Sequence, residues 1–199
     1  LVELTSDSEE ELEARSQELQ TYLKEEKKRF RVAGEAGDAN KYWTIRRESF
    51  SLLRERIKDK QTAPFIDDLV VPASALDQFL PRLEAIIEPY NKYMMYTVAG
   101  HVGDGNFHVI PLMDIHDPEA KEKMYELLEK VIDLIVEFDG STSGEHNDGL
   151  IRTKFVKKLF GDEAYKLFEE TKDIFDPQGL FNPRKKVRGD WEFSKSHVK

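Results

Sequence analysis

The segment Tyr93-Met-Met-Tyr-Thr-Val-Ala-Gly-His101-Val-Gly-Asp-Gly-Asn-Phe-His108-Val-Ile-Pro-Leu112 sets the architecture of this chain. Tyr93 to His101 is rich in aromatic and β-branched residues and reads as a strand. Gly103-Asp-Gly105-Asn106 reads as a turn, and Phe107 to Leu112 as the returning strand. The hairpin brings His101 and His108 to its mouth, on neighbouring strands.

Helical patterns flank the hairpin. Ser74 to about Glu88 repeats Leu76, Phe79, Leu80, Leu83, Ile86 and Ile87 on one face. Asp117-Pro118 opens a helix running to about Phe138, with proline at its first position. Upstream, Val2-Glu-Leu-Thr5 alternates like a strand, and Ser6-Asp7-Ser8 supplies the N-cap of a charged helix from Glu9 to about Lys28 with a thin apolar stripe of Leu12, Leu19 and Leu23. After a break at Gly34–Asp38, a second helix spans Asn40 to about Ile57 with Trp43, Ile45, Phe50, Leu52 and Leu53. Phe65 to Val71 reads as a strand stopped by Pro72. Asp139 to Leu150 is a Gly-, Ser- and Thr-rich loop holding Glu145-His146. Short helices near 152–159 and 162–173 come next, and Phe175 to Pro183 is a run of turns. Residues 188–199 read as a tail. Strands interleaved with helices, and a hairpin among them, predict an α+β fold with an antiparallel sheet and helices on one face.

Composition excludes several classes. The net charge of −9 argues against a nucleic-acid surface, and the one basic cluster, Arg184 to Arg188, is short. The absence of cysteine excludes disulfides and thiolate metal sites and fits a cytoplasmic setting, with membrane-peripheral placement of the longer protein as the other option. No apolar run is long enough for a membrane span. The first residues read as an internal strand without an initiator Met, so the chain is expected to be a fragment.

Two imidazoles and a carboxylate with open positions make a common catalytic metal site. His101 and His108 are candidate ligands, with Glu145 as third, and the donor set suits zinc, manganese or iron. Paired histidines also occur as satisfied structural residues, and Asp104 is a ligand type in a turn position. His146, next to Glu145, is a candidate general base or a loop histidine bonded to backbone. Arg46, near Trp43, is a candidate clamp for a substrate carboxylate or an ordinary surface arginine. Asn182-Pro183 faces a cofactor or is simply a turn.

Three segments taken together, Gly100 to His108, Gly140-Ser-Thr-Ser-Gly-Glu-His146 and Phe175 to Pro183, resemble the FAD-linked oxidase family of the vanillyl-alcohol oxidase type. The resemblance covers about residues 1–187. It implies a ferredoxin-like, substrate-binding cap domain that in the full protein follows an FAD-binding domain absent here. It implies a divalent metal held by His101, His108 and Glu145, and His146 as base. It implies Arg46 on the substrate carboxylate and Asn182 near the flavin. The partners it implies are a small 2-hydroxy acid and the flavin domain, with oligomerisation open. The isolated chain is then expected to be inactive and free of flavin. Family members carry Glu-His-Gly-x-Gly where this chain has Glu145-His-Asn147-Asp-Gly149, and asparagine tolerates left-handed angles. The hydroxyglutarate enzymes use a lysine and an asparagine where this chain has Ile66 and Ile110, which favours a lactate- or glycolate-type substrate. A stand-alone divalent-metal-binding domain and a non-catalytic α+β interaction module are the competing readings.

Overall fold

The structure, a computed structural model, describes residues 1–34, 36–57 and 59–198; the side chains of Ala36, Phe50, Leu53, Arg54 and Arg56 lie outside it, so the apolar placement of Phe50 and Leu53 does too. Two units, Leu1–Lys58 and Asp59–Lys199, are distinguished by their internal contacts. In the first, Val2 to Thr5 is not a strand, because alternation alone supplies no partner and none pairs with it among the described residues. Helix α1 (Glu9–Glu25) starts where Ser8 Oγ accepts the Glu11 N–H at 3.3 Å, with three glutamates in the first turn. It buries no residue, as its thin apolar stripe implies. Helix α2 (Ala36–Arg56) begins four residues before the predicted Asn40 and takes in Asp38, a carboxylate favoured in a first turn.

The second unit holds the sheet. Of the predicted strand over 65–71 only β2 (Leu69–Val70) pairs, and a second short strand, β1 (Gln61–Thr62), precedes the predicted run. A 3₁₀ turn and α3 (Leu76–Ile87) come after them, then β3 (Met94–Ala99) and β4 (Asn106–Met113). β4 is central: β3 lies antiparallel on one side, and β1 and β2 lie antiparallel on the other. Thr62 faces Leu112 and Leu69 faces Phe107. The chain thus advances seven residues while its partner on β4 advances five, and two residues are looped out of the ladder. Such a bulge re-aims side chains. Here it carries Asp67 and Asp68, and Asp68 takes φ 61°.

Paired residues of an antiparallel ladder share a face. Met94 with Met113 and Val98 with Val109 lie on one face, and Thr97 with Ile110 and Ala99 with His108 on the other. The first face meets α3, through Phe79, Leu83 and Ile87, and α4 (Pro118–Glu137), through Met124, Leu127, Leu128, Val131, Ile132 and Ile135. The i, i+3/i+4 spacing of the α4 set produces that stripe, and each such burial stabilises by roughly 1.5–3 kcal/mol. Phe79 packs against Phe107 at 5.4 Å and edge-on to Phe138 at 5.3 Å. Asp117 caps α4 by accepting the Glu119 N–H at 2.9 Å ahead of Pro118, as predicted.

The two short helices predicted after residue 152 are the arms of α5 (Val156–Phe175), bent at Gly161, whose φ of 78° and ψ of 172° are not helical. The predicted tail over 188–199 contains α6 (Trp191–Ser196), capped by Asp190, which accepts the Phe193 N–H at 3.0 Å. Trp191 packs edge-on to Tyr125 at 5.3 Å and to Phe155 at 6.1 Å, and Ser194 is buried. Among the described residues no helix is long and apolar enough to cross a membrane. Helices and a small antiparallel sheet make the chain α+β, the class expected from the sequence.

Candidate metal centre

The site is built on the mouth of the β3–β4 hairpin. The glycines that the turn needs are Gly100 and Gly105 rather than Gly103. A Cβ on Gly100 would lie 2.5 Å from Phe107 Cα, and one on Gly105 would lie 1.9 Å from the Val71 carbonyl oxygen. Both have positive φ, at 149° and 68°. Between them Val102–Asp104 forms a 3₁₀ turn, closed by the Asp104 and Asn106 N–H groups donating to the His101 carbonyl at 2.9 and 3.2 Å. His101 therefore stands beyond the last ladder pair, Ala99 with His108, at the edge of the sheet face that carries His108.

The loop after α4 meets this mouth. Ser141 and Val70 exchange backbone hydrogen bonds at 2.8 Å, docking the loop on β2. The buried Asp68 carboxylate then organises residues 144–146. One oxygen accepts the Gly144 and His146 N–H groups at 2.9 and 2.8 Å, the other accepts the Asn106 side-chain amide at 3.0 Å, and the Glu145 N–H lies 3.1 Å from both. Burial alone would raise the Asp68 pKa; the N–H groups of His146, Glu145 and Gly144 and the Asn106 amide outweigh it and hold the carboxyl below its ordinary value. Gly144 is required there, since a Cβ would come 2.5 Å from Asn106 Nδ2 and 3.0 Å from Asp68 Oδ1.

Beneath the loop lies Arg152, 6 % exposed, which donates to the carbonyls of Asp67 and Asn147. Burial lowers its pKa, against the opposing pull of Asp68, Asp148 and Asp67. Asn147, in place of the glycine usual in the family that the sequence resembles, takes φ 63°, the left-handed angle expected of it.

The loop so held brings three imidazoles around one carboxylate oxygen. Glu145 Oε1 lies 2.9 Å from His108 Nε2, 3.5 Å from His146 Nε2 and 3.9 Å from His101 Nε2. Ligands sharing one ion at about 2.1 Å stand roughly 3–3.5 Å apart. The His108 and His146 separations from Glu145 come close to that spacing, His101 lies outside it, and the nitrogen and oxygen donors suit a divalent cation of the zinc, manganese or iron type. Asp68 also comes close: one ligand atom each from Asp68, His108, Glu145 and His146 lie within 4.8 Å of one another. Its oxygens are already occupied by N–H donors, so Asp68 belongs to the scaffold. The other two sequence candidates belong to other elements. Arg46 lies exposed on α2 in the first unit. Asn182 lies in the exposed turn after α5, with φ 45°, where its side-chain oxygen accepts from Lys185 at 3.2 Å. Asp67, Asp68, Asn106 and Arg152 were missed in the sequence; the available signal was an adjacent acidic pair inside an otherwise apolar run, Phe65 to Val71.

A sequence model of the C-terminal domain of FAD linked oxidases matches residues 1–186. The chain belongs to this family. It is 30% identical over 189 residues to D-2-hydroxyglutarate dehydrogenase of Pseudomonas putida, a match covering 93% of this chain and 18% of the relative. It is 29% identical over 157 residues to glycolate oxidase subunit GlcD of Escherichia coli, covering 79% of this chain and 30% of that protein. A probable mitochondrial D-lactate dehydrogenase of Danio rerio is 31% identical over 118 residues, covering 59% of this chain and 23% of the relative. The chain spans less than a third of the length of each. FAD-linked oxidases of this family thus supply relatives named for three different 2-hydroxy acids, and the C-terminal domain described here contains the hairpin and the loop that meet at Glu145.

Proposed function

We propose that the chain is the substrate-capping, metal-binding part of an FAD-dependent 2-hydroxy-acid dehydrogenase. The convergence of His101, His108 and His146 on one oxygen of Glu145 carries this reading. Family membership supports it over a stand-alone metal domain or an interaction module.

His101, His108 and Glu145 are the residues that would hold the cation. When bound, a divalent cation polarises the substrate's 2-hydroxyl and lowers its pKa. His146 stands at the edge of the same cluster, 55 % exposed, with its Nε2 3.5 Å from Glu145 Oε1, and accepts the hydroxyl proton there. The flavin that the family implies would supply the hydride acceptor. Arg46 would clamp the substrate carboxylate through its planar fork, and Asn182 would face the cofactor. Ile66 is fully buried in the core, and Ile110 lies on the same sheet face as His108. Neither offers a charged or amide group to a second carboxylate, which supports a small monocarboxylate of the lactate or glycolate class.

A second arrangement is favoured by one observation: His146, not His101, has its ring nitrogen within the 4.8 Å group of potential ligands. Metal content separates the two. Protein purified without chelator should hold about one divalent cation per chain by elemental analysis. His108→Ala, Glu145→Ala and His101→Ala should each empty the site, while His146→Gln keeps it filled. Retention in His101→Ala with loss in His146→Gln would exchange the roles of the two histidines. A wild-type chain without metal under every condition would sink the metal reading.

A further inference from the structure

The bulge between β1 and β2 supplies a carboxylate that the proposed chemistry leaves unused. Asp67 Oδ1 lies 2.8 Å from His108 Nδ1, on the opposite side of the ring from Glu145, which lies 2.9 Å from Nε2. His108 is the most enclosed of the three clustered imidazoles: its side chain is 12 % exposed, against 59 % for His101 and 55 % for His146. It is also the imidazole with a side-chain partner on its second nitrogen among the described residues.

Asp67 is held in turn. Its Oδ1 accepts the N–H of Asp68 at 2.8 Å, which fixes the side-chain rotamer. Its carbonyl accepts from the buried guanidinium of Arg152. The side chain therefore swings away only by giving up the Asp68 N–H together with His108. An imidazole with one nitrogen committed to a carboxylate keeps that nitrogen protonated and turns the other, with its lone pair, outward.

We propose that Asp67 is a positioning residue that fixes His108 with its proton on Nδ1, so that Nε2 is aimed at the shared cation. The inference rests on the metal reading of the site. It adds to the ligand set a carboxylate–histidine pair created by the two looped-out residues rather than by the hairpin. Of the three clustered imidazoles, His108 is the fixed post of the site.

Zinc affinity, measured by chelator competition on the full chain, tests this together with the ¹⁵N shifts of the imidazoles in the zinc-loaded protein. Asp67→Ala should weaken zinc binding about 10- to 100-fold, the usual cost of losing an outer partner of a ligating histidine. Asp67→Asn keeps an acceptor oxygen at the same place and should lose less than about tenfold. In the wild type, the ¹⁵N spectrum should show His108 protonated at Nδ1 and metal-shifted at Nε2. Thermal melts of the metal-free variants identify a folding defect, and zinc affinity ordered wild type, Asn, Ala among variants with unchanged melts supports the proposal. Equal affinities in all three, or His108 metallated through Nδ1, would overturn it. A wild type that takes up no zinc overturns the metal reading itself, an outcome distinct from a wild type and variants that bind alike.

Discussion

His146→Gln in the full-length flavoenzyme should lower kcat with a 2-hydroxy acid by about 10²–10⁴-fold, the range typical of losing a positioned general base. KM should change little, because the proposed carboxylate clamp and cation, which would bind the ground state, are untouched. The choice of glutamine keeps the side chain's bulk and a hydrogen-bonding head while removing the basic nitrogen. Rapid-mixing reduction of the bound flavin is the direct readout, since it isolates hydride transfer from later reoxidation. A variant that reduces its flavin at the wild-type rate would remove His146 from proton transfer. A variant slowed only through loss of metal would assign it to the ligand set, which elemental analysis of the same sample decides.

Asp68→Ala should cost about 3–5 kcal/mol of folding stability, because it strands the N–H groups of Gly144, Glu145 and His146 and the Asn106 amide at a buried point, each at roughly 1–3 kcal/mol when unsatisfied, offset in part by water entering the gap. Asp68→Asn should cost less but still more than about 1 kcal/mol on the same grounds, since its NH₂ must face one of those donors. Stability should also depend on pH through this residue. Its folded pKa lies below the ordinary value of 3.8, so its contribution is complete above that value and drains away as pH falls through the depressed folded value. Urea unfolding at about pH 7 and about pH 3 should therefore show the wild type losing more stability than Asp68→Asn does across the same interval. Equal acid losses would mean that the carboxylate is not the group that holds the loop. Because the same three N–H groups set the position of Glu145 and His146, metal binding should weaken in step with stability.

Much of this site was legible because its chemistry is carried by rare residue types beside glycines. His101, His108, Glu145 and His146 stand out in a chain with five histidines, and the hairpin that joins the first two is written in β-branched residues around a turn. The scaffold was hidden for a physical reason. Phe65 to Val71 has the composition of one strand, and nothing local in it reveals that only Leu69 and Val70 pair; the register is set by β4, a segment far along the chain. Asp68 is buried because it finds four N–H partners from distant segments, which is a tertiary fact. Val2 to Thr5 fails in the opposite direction: its alternation is present, but a strand exists only when another chain segment pairs with it. The run after Val187 reads as a tail because a single turn of apolar residues, Trp191 and Phe193, is too short to announce a helix.

That short helix has a practical meaning. The region shared with the family ends at residue 186, yet Trp191 lies over Tyr125 and Phe155 and Lys121 donates to the Val198 carbonyl. A domain dissected at the family boundary would keep every residue of the site and lose its lid of aromatic packing on the far side. The bared rings would form the kind of contiguous apolar patch through which proteins self-associate. Six residues that lie outside the candidate site thus cover part of the aromatic surface of the core.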